Sequence, residues 1–265
     1  MKSSSNTSKE NSKDNESAKP NPIIDNINSK YILSKIYDIM PKKKKLEIVR
    51  YNKRIQNRLN LGIQDYKEYC EIEIEIIPAK GKYGEFINID ANDKLYYHIY
   101  FNDNKEEIKN KYEIKKKDCV TKIKIIIDYQ VKSFKKLFYY CECIESINFK
   151  NFKRNNITNM SYMFHRCSSL KDLNLTNFNT NNVTNMSGMF SFCSLLKELN
   201  LTNFNTNNVT DMRWMFFCCF SLKELNLTNF NTNNVTYMGL MFKGCSDDLK
   251  RKIKSENNNI RDVAF

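Results

Sequence analysis

Histidine is almost missing from this chain: His98 and His165 are the only two among 265 residues. That scarcity, with no Gly-rich phosphate loop and no Ser or Cys nucleophile motif, leaves little with which to run acid–base or nucleophilic chemistry. The chain is therefore read as a non-enzyme with no catalytic, cofactor-binding or metal-ligating residues. It has no apolar run of the ~20 residues that a bilayer-spanning helix requires. Its N-terminal stretch, 1–27, is polar and lacks the apolar core, roughly 7–15 residues long, of a secretory signal. The expected location is cytoplasmic. The nucleus is an alternative because Pro41–Lys45 reads PKKKK, which also suits a lysine-rich loop between helices. Nine cysteines without a disulfide framework point to a reducing compartment. Cys141–Cys143 and Cys218–Cys219 lack the spacing of zinc ligands. A formal charge of +13 raises the question of nucleic acid. The excess lies in Lys-rich loops without clustered Arg or a nucleic-acid-binding motif, so a nucleic-acid partner is not expected.

What the sequence does contain is a period. LTNFNTNNVT occurs three times unchanged, at Leu175–Thr184, Leu201–Thr210 and Leu227–Thr236. Cys141, Cys167, Cys193, Cys219 and Cys245 recur at one fixed step, and Met160, Met186, Met212 and Met238 share it. Phe152, Phe178, Phe204 and Phe230 keep the same step, and Ile157, Val183, Val209 and Val235 keep it again. Periods of about 20–50 residues indicate stacked units. Within one period, Met186, Met189, Phe190 and Cys193 sit at i, i+3, i+4 and i+7, which predicts a short helix with its apolar side inward. Leu199 and Leu201 then alternate with Glu198, Asn200 and Thr202, which predicts a short strand. The expected fold is an α/β solenoid: an array of 26-residue coils, each a short strand plus a short helix, preceded by a small β-rich domain and a helical pair. Asn174, Asn200 and Asn226 should stack as an asparagine ladder between coils.

MSGMFSFCSLLKELNLTNF and MRWMFFCCFSLKELNLTNF resemble the BspA-type (Treponema-type) leucine-rich repeats. That resemblance implies a non-enzymatic surface or interaction protein, some of whose relatives are adhesive and exported. ILSKIYDIM followed by LEIVRYNKRIQNRL, within residues 30–61, resembles an F-box. It implies a substrate receptor of a ubiquitin ligase with a Skp-type adaptor as partner.

The expected organisation is a polar tail (1–27), a helical pair (28–66), a β-rich domain (67–119), the repeats (120–248) and a capping helix with its tail (249–265). The expected function is non-enzymatic protein–protein interaction through leucine-rich repeats, with the F-box-like receptor or an exported adhesin as alternatives. The partner is another protein. Its contact surface is sought where the periods differ, because identical faces offer little individual character. The third copy stands out, with extra apolar and cationic residues beside its core positions. The candidate partner-binding residues are Tyr162, Phe192, Arg213, Trp214, Phe217 and Phe220.

Overall fold

A computed structural model describes residues 29–40, 53–59, 71–152 and 155–265. The chain divides into two compact units, 1–66 and 67–265. In the first, α1 (Lys30–Ile39) is capped by Ser29, whose hydroxyl accepts from the Ile32 amide. It buries Leu33, and α2 (Lys53–Arg58) buries Ile55. The polar tail, PKKKK and the stretch linking the two helices lie outside the described residues.

The second unit is built mainly on sheets. Its strands are β1 (Ile72–Pro78), β2 (Gly84–Glu85), β3 (Tyr97–Phe101), β4 (Glu113–Ile114), β5 (Ile123–Ile127), β6 (Ile144–Asn151), β7 (Asp172–Asn174), β8 (Glu198–Asn200) and β9 (Glu224–Asn226), followed by α3 (Asp247–Glu256). Five of them form one mixed sheet in the order β3-β5-β1-β6-β7. β1 runs antiparallel to both β5 and β6, while β6 and β7 are parallel. The strict alternation of β1 puts Ile72, Ile74 and Ile76 on the buried side. Two further sheets are two-stranded, β2 with β4 and β8 with β9.

The α/β solenoid expectation is thereby corrected. The unit is a small, sheet-dominated fold around a five-stranded mixed sheet, with few helices, and it is not a solenoid or an array of leucine-rich coils. β1, β3 and β5 share a sheet with β6 and β7. The segments expected to be short helices are turns. The reason lies in the backbone. Met189, Ser191 and Cys193 donate to carbonyls three residues back, whereas the intervening amides of Gly188, Phe190 and Phe192 donate to Arg213, Met215 and Phe217. Gly188 and Phe192 both have positive φ, near the left-handed minimum and outside any right-handed helix. A ribbon of such turns puts the same i, i+3, i+4, i+7 positions inward as a helix does, so the spacing could not tell the two apart.

The period survives as packing. Phe138, Phe164, Phe190, Phe216 and Phe242 stack face to face with centroids 5.5–5.6 Å apart, and Phe265 continues the column at 5.2 Å. Beside them, the thiols of Cys167, Cys193, Cys219 and Cys245 donate to the carbonyls of Phe138, Phe164, Phe190 and Phe216 at 3.1–3.2 Å. The asparagine ladder is not formed by the strand residues. Asn174, Asn200 and Asn226 each turn Oδ1 to the amide and hydroxyl of the threonine two residues on. Direct Asn–Asn bonds occur instead in the NTNN bends, from Asn205 to Asn181 and from Asn231 to Asn207.

Candidate functional site

The turns carry two registers of left-handed residues, each recurring once per period. One holds Lys136, Tyr162, Gly188, Trp214 and Leu240, and the other holds Tyr140, Arg166, Phe192, Cys218 and Gly244. Each non-glycine member bears a left-handed cost of about 1–2 kcal/mol. The conformation turns these side chains away from the buried Met and Phe columns, so both registers line the outer flank.

The six sequence-predicted residues fall into two groups and one outlier. Tyr162, Arg213 and Trp214 form the first group. The Tyr162 ring lies over Gly188, 2.5 Å from where a Cβ would stand. Arg213 binds Asp211 through Nε and Nη2, at 3.1 and 2.8 Å. Its guanidinium lies 5.5 Å from the Trp214 ring and 4.5 Å from Tyr237. Phe192 and Phe217 form the second group, with ring centroids 5.4 Å apart. Phe220 stands apart, 60% exposed.

Sequence reasoning missed the residues that join the second group. Tyr139 stacks on His165 at 4.9 Å, and Tyr140 and Phe192 each lie 5.5 Å from the same imidazole. The Arg166 guanidinium lies between the Tyr140 and Phe192 rings, at 4.9 and 5.1 Å from their centroids. His165 Nδ1 meets the buried Ser191 hydroxyl at 2.5 Å, and that hydroxyl donates to the Gly188 carbonyl. Burial, with Arg166 and Lys136 nearby, lowers the imidazole pKa to about 4. At neutral pH His165 is an uncharged packing residue. One signal was available: His165, Ser191, Phe217 and Lys243 share one register, a position at which the periods differ.

Elsewhere, a concavity of about 840 Å³ lies over β7, β8 and β9. Leu173, Leu199 and Leu225 form its floor, with Asp172, Glu198 and Glu224 along it. Lys252 from α3 reaches Glu224 at 2.8 Å. Among the described residues, no group of three or more His, Cys, Asp or Glu is placed to hold a metal ion. No described helix is long and apolar enough to cross a membrane.

No curated protein and no solved structure matches this chain. Residues 131–257 match a family described as "Mycoplasma protein of unknown function, DUF285". That match corrects the BspA-type resemblance, since the periodic region is similar to this family rather than to those leucine-rich repeats; no family model matches residues 30–61, so the F-box-like resemblance there is not sustained either.

Proposed function

We propose that this chain is a non-catalytic protein-binding module whose contact surface is the outer flank of the turns in residues 131–245. The supporting observation is a surplus of aromatic side chains. The Phe138-to-Phe242 column already fills the interior, yet Phe192, Trp214 and Phe217 remain half-buried and Phe220 exposed on the outside. Aromatic groups beside Arg are favoured interface anchors. The chemistry argues in the same direction, since His165 is committed to a buried hydroxyl and flanked by rings. We place the protein in the cytoplasm or nucleus, which cell fractionation tests directly.

The test begins with capture of partners from the native cells, identification by mass spectrometry and reconstitution with the purified partner. Changing Trp214, Phe217 and Phe220 together to Ser should leave the circular dichroism unchanged. It should weaken reconstituted binding at least tenfold, about 1.4 kcal/mol. Undiminished binding by the folded triple variant refutes the assignment.

A further inference from the structure

The second aromatic group contains an arginine whose donors are open among the described residues. Arg166 is fixed from below, because its amide donates to the Ser191 carbonyl at 2.9 Å while Tyr140 and Phe192 donate to His165 and Phe217 in parallel. Its guanidinium is therefore sandwiched between neighbours of the same register, Tyr140 on one side and Phe192 on the other. No hydrogen bond or ion pair engages its side chain among the described residues. A guanidinium is a planar fork of five donors that matches a carboxylate in two-point contact.

The same chain shows what a filled fork looks like. Arg213 also lies against two rings, Trp214 and Tyr237, but Asp211 occupies its donors through both carboxylate oxygens. Arg166 has the rings without the carboxylate. The charges that act on His165 beside it are Arg166 and Lys136, both positive. Lys136 lies over the Tyr139 ring at 4.9 Å, and Lys243 is the charge that acts on Cys218. A cationic, aromatic strip with an open arginine fork complements an acidic group.

We propose that Arg166, held between Tyr140 and Phe192, is a carboxylate receptor that docks an acidic peptide segment of a partner protein, with Lys136 and Lys243 adding long-range attraction. The proposal rests on the protein-binding reading of this flank and names the partner's chemistry. An acidic peptide is favoured over single-stranded nucleic acid because the ring faces that bases would stack on are already taken, by Arg166 on Tyr140 and Phe192 and by His165 on Tyr139.

The test titrates the ¹⁵N-labelled full chain with a capped peptide of sequence DEFEDL, its uncharged counterpart NQFQNL and single-stranded decauridylate. The Arg166 side-chain Nε–H resonance, assigned through its loss in Arg166→Lys, should shift saturably with DEFEDL and not with NQFQNL. The Arg213 Nε–H, already bonded to Asp211, should stay in place and serves as the internal control. Arg166→Lys and Arg166→Gln should each weaken DEFEDL binding at least tenfold with circular dichroism unchanged. No shift at Arg166, equal shifts at both arginines, or tighter saturable binding of decauridylate each overturn the proposal. These outcomes are separate from the triple-variant test. Reconstituted binding that depends on Trp214, Phe217 and Phe220 but ignores Arg166 keeps the protein-binding reading and refutes the carboxylate receptor.

Discussion

Replacing Arg213 with Ser should destabilise the protein, and adding Asp211→Asn should restore most of the loss. In two earlier periods the equivalent positions are Asn159 with Ser161 and Asn185 with Ser187, where Asn Oδ1 accepts from the serine amide and hydroxyl at 2.7–2.9 Å. In the third, Asp211 Oδ1 accepts from the Arg213 amide and Nε, and Oδ2 from Nη2. Asp211 is buried. Losing its cation therefore strands a desolvated carboxylate, at about 1–3 kcal/mol. The lower half of that range applies because Arg213 is itself partly exposed and its removal admits water. Loss of the guanidinium over Tyr237 and Trp214 adds about 0.5–1 kcal/mol. The single variant should therefore lose about 1.5–3 kcal/mol, summing the two contributions. The double variant rebuilds the Asn-x-Ser bond and should lie within about 1 kcal/mol of the parent, a coupling typical of residues in contact. Urea unfolding followed by far-ultraviolet circular dichroism measures both, and avoids the fluorescence of Trp214, which sits beside the change. A double variant no more stable than Arg213→Ser alone would refute the reasoning.

Gly244→Ala should cost more than an ordinary surface change. Its φ is +83°, and the new Cβ would approach the Cys218 Cα to 3.1 Å, backbone that cannot swing aside. A drop in melting temperature tests it, and an unchanged transition would mean the turn is free to move. Among the described cysteines of the native protein, a thiol reagent should label exposed Cys119 first and half-buried Cys218 next. Cys167, Cys193 and Cys219 should stay protected until unfolding, because burial raises their thiol pKa well above the ordinary value. Uniformly fast labelling would contradict the packed column. His165 titrates near 4 in the folded state and near 6.5 when unfolded. Its contribution to stability is thus present above pH 6.5 and lost as pH falls towards 4. The urea midpoint should fall across that window less steeply in His165→Phe than in the parent, and equal slopes would assign the acid loss to other groups.

Inside and outside were legible in the sequence because burial follows spacing: the Met, Phe, Val and Cys registers are the residues removed from water. The local backbone was not, since φ leaves no trace in an apolar stripe. Leu, Trp, Tyr, Arg and Phe occupy left-handed positions where sequence reasoning expects Gly or Asn, and only Gly188 and Gly244 gave a hint. Tertiary bonding overrides that preference by matching each outward amide to a carbonyl in the next period. Long-range pairing was equally hidden. β1 ends up between β5 and β6, and nothing in EIEIEII names its neighbours. In the candidate site, the oddity of the third copy drew attention to Arg213. Arg166 passed unnoticed because its significance lies in two rings, each one full period away along the chain, on opposite sides.

The turn ribbon has a direction. Each period hands its outward amides to the carbonyls of the period that follows, so the last such period ends in donors, Leu240 and Phe242, with no further period to receive them. Val263 and Ala264 supply the two carbonyls, at 2.9 and 2.7 Å, and Phe265 covers the exposed ring of Phe242. Residues 263–265 thus cap the donor end of the ribbon. The acceptor end of the ribbon is met in the same way: Asn88 donates its backbone amide to the Leu137 carbonyl and its side-chain amide to the Tyr139 carbonyl, each at 2.7 Å. Both ends of the ribbon therefore close on residues that do not belong to the repeat, the donors on residues 263–265 and the acceptors on Asn88.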